Sequence, residues 1–176
     1  MLELETERLN FRQWRTDDFD AFRQYFSNGE LARFVGGKKS PEEAWRLMAT
    51  YVGHAVLRGY GYPAVETKTD QRLVGTIGLW KSDPWPETEL GYWLLPEMQG
   101  KGYAAEAAKT VLEYAFKKLQ LATVVSYIDA ANTPSIRLAE KLGAFHDGDL
   151  ELLEYGPHRV YRYPVDATQN TPQPTQ

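Results

Sequence analysis

The chain has 176 residues, 43% hydrophobic and 13% aromatic, enough to bury a core in one domain and too few for two ordinary ones. Its 20 Lys and Arg against 24 Asp and Glu leave a formal charge of −4, which argues against broad electrostatic attraction to nucleic acid or an anionic membrane. Cysteine is absent, so disulfides, thiolate metal ligation and a cysteine nucleophile are excluded. Mean hydropathy is −0.51, and no apolar run approaches the roughly 20 residues needed to span a bilayer. The acidic start from Met1 to Glu5 lacks a secretory apolar region. These features imply a cytoplasmic protein, monomeric or homodimeric, with one domain over residues 1–163 and a polar, proline-containing tail over 164–176 that is expected to be disordered.

Thr6 to Trp14 alternates enough for an opening strand. Thr16-Asp17-Asp18 starts a helix carrying Phe19, Phe22, Tyr25 and Phe26 at helical spacing. Ser40-Pro41-Glu42-Glu43 has the form of a capping box with proline at the first helical position, and Gly59 ends that helix after Arg58. Ala64–Thr67 and Leu73–Trp80 read as a hairpin turning at Lys68 to Gln71, followed by a loop through Pro84 and Pro86. Glu87 to Leu95 is the next strand, with Gly91 in its middle as a position for a bulge or a close approach. Tyr103 to Leu119 is a long amphipathic helix, and Ala122 to Ile128 is a strand apolar enough to be covered on both faces. Asn132 opens a helix that Gly143 closes, and Phe145 to Tyr163 forms a last hairpin around Tyr155-Gly156-Pro157. The order predicts a mixed α/β (α+β) fold, its mostly antiparallel sheet of about seven strands flanked by about four helices.

The chemistry centres on Gln99-Gly100-Lys101-Gly102-Tyr103-Ala104, where a strand passes through glycines into a helix. First-turn amides have no intrahelical partner, and with the positive end of the helix dipole they receive phosphate. Lys101 adds a mobile charge. The plain alternative is a loop that only turns the chain. A Walker A loop fails, since Leu95 and Gly102 stand at its diagnostic positions. A dinucleotide fingerprint is closer, through Gly100, Gly102, Ala105 and Asp129, but four residues separate the strand from its first glycine. The histidines, His54, His146 and His158, show no metal-ligand spacing, and no metal is expected.

Gln99-x-x-Gly102-x-Ala104 resembles the acetyl-CoA pyrophosphate loop of the GNAT superfamily of N-acetyltransferases. Asn132 to Phe145 is similar to that family's second signature, and Thr6-Glu7-Arg8-Leu9 and Glu89 to Leu94 match as well, in the manner of the ribosomal-protein-alanine N-acetyltransferases. The resemblance implies splayed central strands, acetyl-CoA as acetyl donor, and a primary amine acceptor, either a protein N-terminus or a small molecule. It implies contacts to the donor from Trp93, Leu94, Gln99, Gly100, Lys101, Gly102, Tyr103, Ala104 and Asn132, and the Leu94 amide as a partner for the thioester carbonyl. Burial of the Trp93 and Leu94 side chains in the core is the competing reading. Glu89 is the expected general base, with Glu87 as the fallback and a solvated carboxylate as the bland alternative. Ser135 is the expected acid, since Ala139 stands where many members of the family carry a tyrosine. Acceptor contacts are expected from the two N-terminal helices, the Trp80 to Pro86 loop and the final hairpin. A non-catalytic acyl-CoA-binding module and a dinucleotide enzyme are the alternatives.

Overall fold

Ser40 becomes the cap its sequence predicts: its hydroxyl accepts the Glu43 amide at 3.3 Å, and the Glu43 carboxylate accepts the Ser40 amide at 2.8 Å. Gly59 ends that helix in the left-handed region at φ 77°. The computed structural model describes residues 4–165; all of the expected tail beyond Val165 lies outside them. The strands are β1 Leu9–Arg12, β2 Ala64–Thr67, β3 Leu73–Trp80, β4 Glu89–Leu94, β5 Val124–Ile128, β6 Phe145–Glu151 and β7 Pro157–Tyr163. The helices are α1 Phe19–Ser27, α2 Gly29–Ala32, α3 Pro41–Arg58, α4 Tyr103–Lys117 and α5 Thr133–Lys141. One more helix forms than expected, because Asn28 caps the single turn of α2 by accepting the amides of Glu30 and Leu31.

All seven strands join one sheet in the order β1-β2-β3-β4-β5-β7-β6, antiparallel except for the central β4–β5 pair. The opening strand is shorter than expected, since Thr6 folds back on Leu9: its hydroxyl and amide take the Leu9 amide and carbonyl, both at 2.9 Å. Strand β4 likewise begins at Glu89, not Glu87. Gly91 carries no bulge, as its pairing with Gly78 lies in an unbroken β3–β4 register. It serves a close approach instead, because a Cβ there would collide with the Tyr62 hydroxyl.

Each sheet face has its own core. Val111, Leu112 and Ala115 of α4 cover Leu9, Val74, Leu90 and Val124 on one side. On the other, α1 and α3 close over Trp14, Ala64 and Trp93. Every residue of β5 is buried, as expected for a strand covered twice. Edge strand β6 is exposed along nearly its whole length and carries Asp147, Asp149 and Glu151, a charge pattern that discourages edge-to-edge pairing.

Candidate active site

The site begins where the only parallel pair among the described strands comes apart. Strands β4 and β5 share a single register position, Glu89 with Val125, and the Val125 amide donates to the Thr88 carbonyl at 3.0 Å. A parallel ladder would next join the Tyr127 amide to the Leu90 carbonyl. Here the Ser126 hydroxyl takes that carbonyl at 2.6 Å, and the Tyr127 main chain bonds the Glu89 carboxyl. Two side chains thus substitute for the ladder and let the strands diverge. The Leu95 amide bonds Val74 at 2.9 Å on the β3 side, so by the two-residue period the main-chain groups of Tyr92 and Leu94 point into the gap. Gln99 closes the end of that edge, its side-chain amide donating to the Leu94 carbonyl at 3.1 Å.

A cavity of about 320 Å³ occupies the fork. Glu89 stands in its wall and accepts the Trp85 indole N–H at 2.9 Å. Its free surface faces the cavity, and burial pushes its carboxyl up to about 8, against the two hydrogen bonds that favour the anion. Glu87 has the opposite environment. Arg162 grips both of its oxygens at 2.8 and 2.9 Å and holds it below the usual carboxylate range. Glu87 also lies outside strand β4 and the cavity, so it is no fallback base.

Asn132 and Ser135 line the same cavity, and the Asn132 carbonyl oxygen caps α5 by accepting the Ser135 amide at 3.3 Å. Across the gap stands Tyr92, whose hydroxyl is driven up to about 12 by burial while contact with Ser135 works the other way. Ala139 is buried in the core, so a tyrosine there has no room without repacking. The Trp93 ring also belongs to the core, stacked on Tyr25 at 4.4 Å and on Trp14 at 6.0 Å, and Leu94 is buried in the core on the opposite sheet face. The Leu94 main chain is what the gap receives, whereas the Trp93 carbonyl faces Gly75 of β3.

Gln99 to Ala104 form a second group, continuous with the open edge of β4 but outside the cavity. Gly100 and Gly102 take φ of 71° and 82°, the left-handed region that glycine alone enters without strain. A Cβ on Gly100 would meet open space, which leaves the loop's main chain accessible from outside. Lys101 is exposed, and Tyr103 and Ala104 are partly so, at the α4 N-terminus. Arg8 braces this loop from strand β1's approach: it donates to the Lys101 carbonyl at 3.0 Å, pairs with Glu106 at 2.6 Å and lies 4.7 Å over the Tyr103 ring. Glu106 also accepts the Arg8 amide at 3.0 Å and the Thr6 hydroxyl. The early Thr6-Glu7-Arg8-Leu9 motif therefore acts at a loop nearly a hundred residues away in the chain.

The profile of the acetyltransferase (GNAT) domain family matches residues 8–144. The chain belongs to the GNAT acetyltransferase family. It is thus an acetyl-CoA-dependent N-acetyltransferase. Among its relatives, the uncharacterized N-acetyltransferase YoaA of Bacillus subtilis is 31% identical over 156 residues, 86% of this chain and 88% of YoaA. An acetyltransferase structure from Agrobacterium tumefaciens superposes with a TM-score of 0.84 at 31% identity, covering 93% of this chain and 94% of that one. The spermidine N(1)-acetyltransferase of Escherichia coli is 33% identical over 85 residues, 44% of this chain and 46% of that enzyme. Relatives of this kind leave the ribosomal-protein-alanine branch unselected within GNAT.

The dinucleotide alternative falls with the topology: a doubly wound domain needs a parallel sheet, and this GNAT sheet has one parallel contact. Asp129 is engaged in its own turn, accepting the Ala131 amide at 2.7 Å. No cluster of three or more His, Asp or Glu stands ready to hold a metal ion among the described residues, nor is any helix there long and apolar enough to cross a membrane. His54 packs flat on Trp80 at 3.9 Å and His146 bonds Asp149, whereas His158 lines the cavity. Sequence reasoning missed Tyr62, Tyr92, Tyr127 and Ser126. Tyr92, Ser126 and Tyr127 lie on the strands flanking the gap, which becomes visible once the register is known, and Tyr62 lies in the irregular segment before β2, where nothing local signals it.

Proposed function

We propose that the chain transfers the acetyl group of acetyl-CoA to a primary amine, a protein N-terminus or a small molecule, by direct attack in a ternary complex. The observation that carries this is the parting of β4 from β5 directly after Glu89, which leaves an open main-chain edge running from the cavity to the Gly100–Gly102 loop. A pantetheine arm fits that edge because it offers amide groups of its own, and the phosphates fit the loop and the α4 N-terminus. When bound, acetyl-CoA supplies an acetyl thioester and a thiolate leaving group.

The residues then divide the work. Amides of Gly100, Lys101, Gly102, Tyr103 and Ala104 hold the phosphates, with Lys101 adding charge and Gln99 securing the strand end. The main chains of Tyr92 and Leu94 and the Asn132 side chain position the arm, Trp93 contributing only by fixing β4 against β3, and the Leu94 amide donates to the carbonyl oxygen. Glu89 accepts a proton from the acceptor ammonium, freeing the nitrogen lone pair to attack the carbonyl carbon as the C–S bond breaks. The attacking nitrogen sheds its second proton as the amide forms, and Ser135, in contact with Tyr92, takes up that proton as it passes its own to the departing sulfur. A carboxyl near 8 is deprotonated only at mildly alkaline pH, so kcat/KM is expected to rise up to that region.

Calorimetric titration with acetyl-CoA, CoA and NADH, followed by an acceptor screen for released thiol, tests the reading. The protein has no cysteine, so the thiol assay carries no background from the enzyme. Binding of both CoA forms without NADH, together with turnover on an amine, is the expected result. NADH binding alone, or no turnover on any amine, refutes it.

A further inference from the structure

We propose that the acceptor is a small primary monoamine carried on an apolar, ring-sized body, and not a polyamine or a polypeptide N-terminus. This rests on the acetyl-transfer reading and narrows it.

Charge is the first ground. Two carboxylates line the cavity among the described residues, Glu89 and Asp129, and Asp129 is already engaged by the Ala131 amide. Glu89 is left to meet one ammonium. Among the described residues no Lys or Arg lines the cavity, but three stand at its margin: the Arg33 guanidinium lies 4.2 Å over the lining ring of Phe34, and Lys39 and Lys81 donate to the carbonyls of the lining residues Gly36 and Trp85. Arg33 has only the solvent-exposed Glu30 at 3.6 Å to offset it. A second positive charge on the acceptor would face these cations with only Asp129, one of its oxygens already held by the Ala131 amide, to receive it.

The walls are the second ground. Tyr51, Tyr62, Trp80, Trp85 and Tyr155 present aromatic surface around Glu89. After burial itself, the Glu89 charge is among the influences that raise the hydroxyls of Tyr51, Tyr62 and Tyr155, so these hydroxyls lie within its electrostatic reach. Trp80 stacks on Tyr62 at 5.3 Å, and Trp85 meets Tyr155 edge-on at 5.7 Å. Such walls favour an ammonium with an apolar flank. The Tyr92 and Tyr127 hydroxyls and the Trp93 indole N–H are unpartnered among the described residues, while the Thr76 hydroxyl is already spent on the Pro63 carbonyl at 2.5 Å; the ring faces between these few points suit an apolar body better than a run of amides. Size agrees. The cavity of about 320 Å³ also has to admit the thioester end, and a benzene-sized guest needs roughly 150 Å³.

The test uses the full chain with acetyl-CoA and compares 2-phenylethylamine, spermidine and an alanine-initiated hexapeptide by released thiol. The expected kcat/KM for 2-phenylethylamine exceeds both others by at least about tenfold, the discrimination that about 1.4 kcal/mol of apolar contact supplies. Equal or better turnover of spermidine or the peptide overturns the inference. Failure to bind acetyl-CoA in calorimetry would instead overturn the acetyl-transfer reading beneath it. Thr50→Glu provides a second arm: Thr50 is exposed on α3 and lines the cavity, so the variant keeps its fold while adding a carboxylate. It should raise 1,4-diaminobutane turnover relative to 2-phenylethylamine severalfold. An unchanged ratio would show that selectivity is set elsewhere and would also overturn the inference.

Discussion

The glycine loop and the aromatic cavity lie at opposite ends of the same open strand edge, yet they are built by different means. The loop presents main-chain amides from five consecutive residues, Gly100 to Ala104, and its geometry follows from two glycines in the left-handed region. The cavity draws side chains from α3, both central strands, the Trp80–Trp85 segment and the last hairpin. On the proposed reading, a loop of amides recognises what all acetyl-CoA enzymes share, a diphosphate, whereas a wall of side chains recognises what differs between them, the acceptor. Substitutions at the two ends should therefore separate donor binding from acceptor chemistry.

The largest separation is expected at Glu89. Glu89→Gln should lower kcat by roughly 10²- to 10⁴-fold with acetyl-CoA affinity unchanged in calorimetry, and should abolish the alkaline rise of kcat/KM. The same variant reports on stability. Because burial raises this carboxyl to about 8 from an ordinary 4.5, the folded chain keeps a proton that the unfolded chain releases between those values. Stability from this group is thus present at acid pH and lost as pH climbs towards 8. Thermal melts should show Glu89→Gln gaining over wild type at about pH 9 and little changed at about pH 4.

Gly102→Ala should act on the other end, weakening acetyl-CoA by about tenfold while kcat on saturating donor is nearly kept. Alanine at φ 82° is strained, and its Cβ would stand 3.4 Å from the Arg8 guanidinium. Gly59→Ala supplies the control: it shares the left-handed strain at φ 77° but caps α3 away from the loop. Equal loss of donor affinity in both variants would break the comparison. Ser126→Ala leaves the buried Leu90 carbonyl without its partner and should cost about 1–3 kcal/mol in denaturant titrations. Smallest is Arg8→Ala. Its ion pair with Glu106 is half-exposed and worth about 0.2–1 kcal/mol to stability, but loss of the Lys101 carbonyl contact should weaken acetyl-CoA a few-fold.

Glu87 and Glu89 show where reading the chain reaches its limit. Two carboxylates two residues apart look interchangeable in an extended segment, and both were eligible as bases. Arg162, 75 residues further on, sets them apart by claiming Glu87 for a bidentate pair, while Glu89 sits opposite Trp80, the last residue of β3, and lines the cavity. Gly91 is a similar case, since a mid-strand glycine signals crowding without naming the Tyr62 hydroxyl that causes it. Trp93 is a third: its ring fills the core, which only the packing of α1 and α3 reveals.

What the amino-acid order determines unaided is local: the Ser40 capping box, the hairpin turn at Lys68 to Gln71, the two glycines before α4 and the Asn132 cap of α5. Each depends on residues within a few positions of one another, where backbone geometry and hydrogen bonding leave little choice. Tertiary structure decides the fork of β4 and β5, the isolation of Glu89 among aromatic rings and the brace from Arg8 to Glu106. These depend on which distant groups satisfy a buried carbonyl, carboxylate or guanidinium, and that is settled only when the strands take their register.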